Sequence, residues 1–243
     1  MNRDVTSDFL SEIQNSNVKP IEPVFLDFKK DLSQLKAKSN IPVLYKQNTS
    51  NDLFQLIYVF DMGNNNDKVL GTAFDYIDYL GTSDMTPEQL KSEFYRLACT
   101  FRVVPGNERT YVLLSGLNEN MPEAMKLFEK LMADAQVNKE AYTNMVADIL
   151  KSRKDAKLNQ MQNFRRLMSY GMYGPKSPAT NILTEAELQN MDPQELIDRI
   201  HNQNSYQHRI LYYGPTSEKE LLAIICLLYT SPSPRDSRAS RMP

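Results

Sequence analysis

The chain has 243 residues, of which 41% are hydrophobic and 24% charged, and its formal net charge is −2. This composition is ordinary for a globular protein, and the charge balance argues against a nucleic-acid-binding surface. No run of 18 apolar residues predicts a membrane segment, and Cys99 is the only cysteine before residue 226, which excludes a disulfide framework.

The first 23 residues read as a linker or as the end of a preceding region. The pattern of Asp8–Asn15 predicts a short helix, and the prolines that follow prevent its continuation. Residues 41–48 and 53–63 are rich in β-branched and aromatic side chains, and we predict that they pair as a β-hairpin.

Capping and turn residues organise the next part of the chain. Thr86 and Gln89 form a predicted capping box, and the apolar residues Leu90, Phe94 and Leu97 behind it share one helical face. Residues 100–104 and 109–117 predict a second hairpin around a Pro-Gly-Asn turn.

Four helices, a strand and a final helix are predicted after the second hairpin. The helix starts are Asn120, Asn138, Thr184 and Asp192. The second of these begins one long helix that runs toward Tyr170. A strand at residues 206–213 and a helix from Ser217 complete the order. Hairpins that alternate with helices predict an α+β domain over residues 24–225, with a mostly antiparallel sheet and helices packed on one face.

Residues 71–82 read GTAFDYIDYLGT and carry the main functional signal. This segment resembles the metal-binding helix of the insulinase/pitrilysin family of zinc metallopeptidases, which begins Gly-x-Ala, carries H-x-x-E-H and closes on Gly-Thr. The matching residues are Gly71, Ala73, Gly81 and Thr82. The strands on either side and the following helix resemble the same family in their order and spacing.

The metal ligands of that motif are missing from this sequence. Phe74, Ile77 and Asp78 stand where the family has two histidines and a glutamate. Zinc needs imidazoles on one helical face and a carboxylate general base beside them, which phenylalanine and isoleucine cannot supply. The resemblance places a third ligand near Ser152, but residues 151–154 read Lys-Ser-Arg-Lys, which would repel a metal ion. We therefore predict no catalytic, cofactor-binding or metal-ligating residue in this chain.

Other ionisable residues give weaker signals. Asp75 and Asp78 lie three apart and could share a hard cation, but two solvated carboxylates near a helix start are the simpler interpretation. His201 and His208 lack zinc-site spacing, and we expect surface or core positions for them.

A later helix offers candidate peptide contacts. Arg165, Arg166, Tyr170 and Tyr173 combine cations with aromatic rings and could contact a peptide carboxylate, although compensation of the helix dipole also explains the arginines. Methionines 161, 168 and 172 recur at near-helical spacing. Met-rich surfaces can bind peptides adaptably, but we expect these residues to fill the core.

The family resemblance implies a role for the whole chain. Such proteins commonly contain four related domains that close around a peptide, and usually only the first holds zinc. The resemblance implies a non-catalytic, substrate-enclosing domain of a larger zinc metalloendopeptidase. Its partners would be the remaining domains of the same parent chain and the peptide substrate, with zinc only in the parent's catalytic domain. The alternative is a scaffold domain of a catalytically dead family member. The sequence leaves localisation open between periplasm and cytoplasm.

Residues 226–243 do not continue the pattern of the domain. The string CLLYTSPSPRD matches, codon by codon, the translation of a sequencing-library adapter, and the last four residues match the adapter's end. We expect the native helix to end at Ile225 and residues 226–243 to form an adapter-derived, disordered tail. The chain would then be a truncated part of a longer protein.

Overall fold

The computed structural model describes residues 6–17, 21–23 and 25–228. The chain forms two compact units, Met1–Asp31 and Leu32–Pro243. The first unit contains helix α1 (Asp8–Asn15), as predicted, with the Leu10 amide donating to the Ser7 hydroxyl at 3.2 Å. The predicted boundary between residues 23 and 24 lies within this unit.

A six-stranded sheet forms the centre of the second unit. Its strands are β1 (Ser33–Lys36), β2 (Pro42–Gln47), β3 (Leu53–Phe60), β4 (Cys99–Pro105), β5 (Thr110–Leu117) and β6 (His208–Gly214). Their spatial order is β1-β2-β6-β3-β5-β4, and only the β2–β6 pair is parallel. The sheet is therefore mostly antiparallel, as the sequence predicts.

The predicted hairpin between the first two long strands is wrong, because β6 lies between them. Tyr212 of β6 pairs with Tyr45 of β2 on one side and with Leu56 of β3 on the other. The rings of Tyr45 and Tyr212 stack with their centroids 5.6 Å apart. Pairing with β6 on both sides buries these rings, an advantage that adjacency along the chain does not reveal. β1, which the pattern did not predict, pairs with the outer side of β2.

The helices supply the other side of the core. They are α2 (Leu70–Tyr76), α3 (Pro87–Arg96), α4 (Met121–Asp134), α5 (Lys139–Ala156), α6 (Gln160–Tyr173), α7 (Glu185–Asn190), α8 (Gln194–His201) and α9 (Glu218–Leu228). Along β3, Phe54, Leu56 and Tyr58 are buried in one core with the helices, whereas Gln55 is exposed and Ile57 half-buried. This alternation indicates a sheet that is covered by helices on one face.

Capping residues begin several helices where the sequence predicts them. Capping boxes at Thr86 and Thr184 precede α3 and α7, and the Asn138 side chain accepts a hydrogen bond from the Ala141 amide at the start of α5. The prediction of one long helix from Asn138 toward Tyr170 is wrong. The Asn159 side chain accepts from the Gln162 amide at 3.0 Å, and this cap ends one helix and starts the next.

The C-terminal helix is longer than predicted. Helix α9 continues through Leu228, so the expected end at Ile225 is wrong. Leu228 is half-buried and packs against the core, and this contact stabilises the additional helical residues. Residues 229–243, the rest of the predicted tail, lie outside the described residues. Within the part of the chain that is described, no helix is long and apolar enough to cross a membrane.

One half-buried carboxyl group on α4, that of Glu129, predicts that stability depends on pH. Glu129 is half-buried and accepts a hydrogen bond from Asn204, and burial raises its pKa from 4.5 to about 7. Because the folded pKa lies above the unfolded one, stability from this group is greatest below pH 4.5 and falls as the pH rises toward 7. The Glu129→Gln variant should therefore be more stable than the unsubstituted chain at pH 8 but not at pH 4, as measured by urea unfolding. Glu123→Gln, an exposed position on the same helix, is the control, and an equal gain there would contradict the assignment.

Candidate functional site

Two glycines of the motif frame lie close to neighbouring atoms, Gly71 to a side chain and Gly81 to the backbone. A Cβ on Gly71 would lie 2.8 Å from the Asn64 side-chain oxygen, and one on Gly81 would lie 2.3 Å from the Met85 carbonyl oxygen. The Thr82 amide donates to that same Met85 carbonyl at 2.9 Å. The Gly-Thr ending therefore closes the segment against the start of α3 without any metal.

The three motif positions are divided between the core and the solvent. Phe74 and Ile77 are only 3% and 2% exposed, whereas Asp78 is exposed. Helix α2 ends at Tyr76, and Ile77–Tyr79 tighten into a 3-10 turn. In a continuous α-helix, positions 74 and 78 would share a face, but the tighter turn moves Asp78 away from Phe74.

The residues present at this position do not fit a zinc ion. A buried phenyl ring and a buried aliphatic side chain offer no ligand atoms. In the described ranges, no group of three or more His, Cys, Asp or Glu side chains lies close enough to hold a metal ion. The three motif positions therefore supply no metal-dependent chemical step.

Contact between α2 and α5 occurs at the beginning of α5. The Tyr76 hydroxyl donates to the Asn138 carbonyl at 2.6 Å and accepts from the Asn138 amide at 2.9 Å. The Tyr76 ring also packs edge-on against Tyr142 at 5.8 Å. Ser152, at the predicted third-ligand position, is exposed and lies about 15 Å further along the helix from Tyr142 at 1.5 Å per residue. Its neighbour Arg153 donates to the Leu183 carbonyl at 2.6 Å.

The other ionisable candidates occupy separate places. Asp75 and Asp78 are both exposed. The surrounding protein partly shields the Asp75 carboxyl from water, and this desolvation, followed by the negative charge of Asp78, raises the pKa of Asp75. His201 is exposed at the end of α8. His208 is buried beside Phe60, at 5.0 Å between ring centroids, and this burial lowers its pKa.

An apolar groove of about 630 Å³ lies beside the end of the motif segment. Its floor and walls include Ile77, Leu80, Leu90, Phe94 and Phe101, and its rim carries Asp78, Lys91 and Tyr95. This lining suits an apolar side chain rather than a metal or a phosphate. The sequence does not reveal the groove, because α3 and β4 meet the motif segment only in the folded structure.

The groove runs next to a free edge of the sheet. Among the residues that the structure describes, β4 is the last strand in the sheet order and pairs only with β5. The Leu117 amide donates to the Ala98 carbonyl at the end of this ladder. Because bonded pairs alternate in antiparallel ladders, Cys99, Phe101 and Val103 direct their backbone N–H and C=O groups toward the free edge. An edge of this kind can pair with an extended chain.

The predicted peptide contacts all lie on α6, away from the groove lining. Arg165, Arg166, Tyr170 and Tyr173 are exposed. The Arg166 guanidinium donates to the Ala179 carbonyl at 3.3 Å, and Tyr173 lines a polar depression of about 430 Å³. The structure does not bring the four side chains together into one pocket.

The expectation that the α6 methionines fill the core is wrong. Met161, Met168 and Met172 are 58%, 48% and 65% exposed. Their helix is joined to the following loop by polar contacts and leaves its apolar side chains in solvent. Helical periodicity shows that these residues share a face but not which way that face points.

Comparisons with solved structures identify the fold. The chain is similar to the periplasmic protease PqqL of Escherichia coli, with a TM-score of 0.71, 14% identity, and coverage of 93% of this chain and 28% of that one. It is also similar to an inactive M16 peptidase domain from Pseudomonas fluorescens, with a TM-score of 0.70, 14% identity, and coverage of 82% and 50%. A third likeness is to a point mutant of the ferredoxin protease FusC in complex with Arabidopsis ferredoxin, with a TM-score of 0.71, 11% identity, and coverage of 90% and 26%.

These likenesses confirm the predicted insulinase/pitrilysin resemblance at the level of the fold. Their identities are too low to carry more, and no protein-family model and no curated protein sequence matches the chain. The chain spans between about a quarter and a half of the length of these solved chains.

The burial of the motif helix gives a direct stability test. Phe74→Ala should destabilise the second unit by about 3–5 kcal/mol, because it removes a buried ring. Asp75→Ala, the exposed neighbour, should change the free energy of unfolding by less than about 0.5 kcal/mol. Urea unfolding of both variants provides the measurement. Equal, small effects would place the Phe74 ring in solvent, and this helix would then become a candidate ligand-binding surface.

Proposed function

We propose that this chain is a non-catalytic, substrate-enclosing domain of a larger zinc metalloendopeptidase. The observation that carries the proposal is the use of the motif positions for packing within a peptidase-domain fold. Phe74 and Ile77 occupy the core where catalysis would require ligands, while the surrounding backbone frame is retained. Zinc, in this proposal, is held by another domain of the parent, and the remaining domains are the partners of this one.

The groove beside β4 supports a peptide as the enclosed molecule. A strand edge offers backbone donors and acceptors to an extended chain, and the apolar groove offers space for an alternate side chain of that chain. The rim carries one carboxylate, Asp78, and one ammonium group, Lys91. The lining also contains the Cys99 thiol and the Thr100 hydroxyl, but it contains no histidine that could activate either of them, so bound peptide would be held and not cut.

A binding experiment tests this proposal. An extended ten-residue peptide with Phe and Leu at alternate positions, labelled at one end, is titrated with the chain and followed by fluorescence anisotropy. Binding without cleavage is expected, and methylation of alternate peptide nitrogens should weaken it at least tenfold by removing strand pairing. Mass spectrometry of the same samples detects any hydrolysis.

Exposed positions provide variants that spare the fold. Tyr95→Ala removes an 88% exposed ring from the groove rim and should weaken peptide binding several-fold. Tyr111→Ala, which removes a 37% exposed ring on β5 outside the groove lining, is the control. Absence of peptide binding by the unsubstituted chain would favour the alternative of a scaffold domain. Hydrolysis that survives further purification would exclude a non-catalytic role.

A further inference from the structure

Helix α6 is attached to the rest of the protein by its polar side. The Arg166 guanidinium donates to the Ala179 carbonyl at 3.3 Å, and the hydroxyls of Ser169 and Ser177 lie 2.7 Å apart. Arg166 and Ser169 are three residues apart and therefore share one helical face. Ser177 is completely buried, so the loop on which α6 rests belongs to the folded unit.

The opposite face of α6 is apolar and lies in solvent. It consists of Met161, Phe164, Leu167, Met168 and Met172, each of which lies three or four residues from another member of the set. All five are about half exposed or more, and none of the residues of α6 is buried. A surface helix normally turns such a stripe toward its own core. A contiguous exposed patch of this kind marks an interaction surface.

The charge of the segment that contains α6 restricts the covering surface, and within α6 Arg165 lies beside the stripe whereas Arg166 lies on the attached face. Residues 156–184 contain Lys157, Arg165, Arg166 and Lys176 and no aspartate or glutamate. The whole chain nevertheless has a net charge of −2, so this segment is basic against an acidic remainder. A covering surface that pairs with it would be apolar at its centre and carry carboxylates at its rim.

The size of the similar proteins indicates what supplies such a surface. The matched part of PqqL is 28% of its chain, and the matched part of FusC is 26%, so most of each chain lies outside the matched region. A second copy of this chain would bring the same cations of two α6 helices together, which disfavours self-pairing.

We propose that the apolar face of α6 is an interdomain surface, covered in a longer parent protein by an apolar, acid-rimmed face of another domain. This inference rests on the proposed function in one respect, the existence of further domains, and is independent of peptide binding in the groove. Arg165 lies beside the apolar stripe and pairs with the acidic rim. The flexible methionines allow the stripe to fit closely against that face.

Methionine oxidation measures the covering directly. The parent protein is expressed from the uninterrupted genomic reading frame, and both it and the 243-residue chain are exposed to hydrogen peroxide and analysed by peptide mass spectrometry. Met161, Met168 and Met172 should oxidise at least tenfold more slowly in the parent than in the isolated chain. The fully buried Met121 and Met125 serve as internal standards that oxidise slowly in both.

Two variants separate covering from folding. Leu167→Glu should leave the melting temperature of the isolated chain unchanged, because Leu167 is 68% exposed, but should restore rapid oxidation of Met168 and Met172 in the parent. Gln162→Glu, an exposed position of α6 outside the apolar stripe, should change neither measurement.

Several outcomes would overturn the proposal. They are the absence of a longer reading frame, equal oxidation in both proteins, protection of the isolated chain that grows with its concentration, and protection only by phosphatidylglycerol vesicles. The third would assign the face to a second copy, and the fourth to a lipid surface. Protection of the methionines without peptide binding would retain this inference and reject the groove, and the converse result would do the opposite.

Discussion

The architecture depends on the insertion of β6 between β2 and β3. Tyr212 of β6 pairs with Tyr45 of β2 and with Leu56 of β3. Its ring stacks on Tyr45, and its hydroxyl donates to the Asn118 side chain at 3.0 Å and accepts from the Thr216 amide at 3.1 Å. The chain closes this sheet only after it has passed through seven helices, α2 to α8. With β6 in place, β3 is an internal strand between β6 and β5. The β4–β5 hairpin extends the sheet on the other side of β3, which leaves β4 at the edge beside the groove.

The same core explains why residues 70–76 form a buried helix that offers no metal ligand, in a fold that is similar to that of peptidase domains. A metal site needs polar side chains in a wet cleft, whereas Phe74 and Ile77 contribute burial, which stabilises the domain in the absence of any ligand. Tyr76, between them, links this helix to the start of α5 through both backbone groups of Asn138. In the proposed function, this helix contributes packing, and binding falls to surfaces such as the β4 edge.

Two surfaces of the domain remain available for contact, and they differ in physical character. The groove combines apolar walls with an exposed backbone edge, which fits an extended chain of variable sequence. The α6 face has no free backbone groups and offers a row of flexible apolar side chains flanked by Arg165, which fits a preformed protein surface. A domain with one surface for a transient ligand and another for a permanent neighbour is consistent with a wall element of an enclosing protein.

Local physics was readable from the sequence. The caps at Thr86, Asn138 and Thr184 and the β4–β5 hairpin follow from backbone hydrogen bonding over three to ten residues, and the missing ligands at Phe74 and Ile77 follow from side-chain chemistry alone. Tertiary structure alone decided the position of β6, the break at residue 159, the groove and the outward turn of α6. Each of these features depends on whether contacts between distant segments bury more apolar surface than contacts between neighbouring ones. Periodicity identifies which residues share a face, but only the assembled core determines what that face meets.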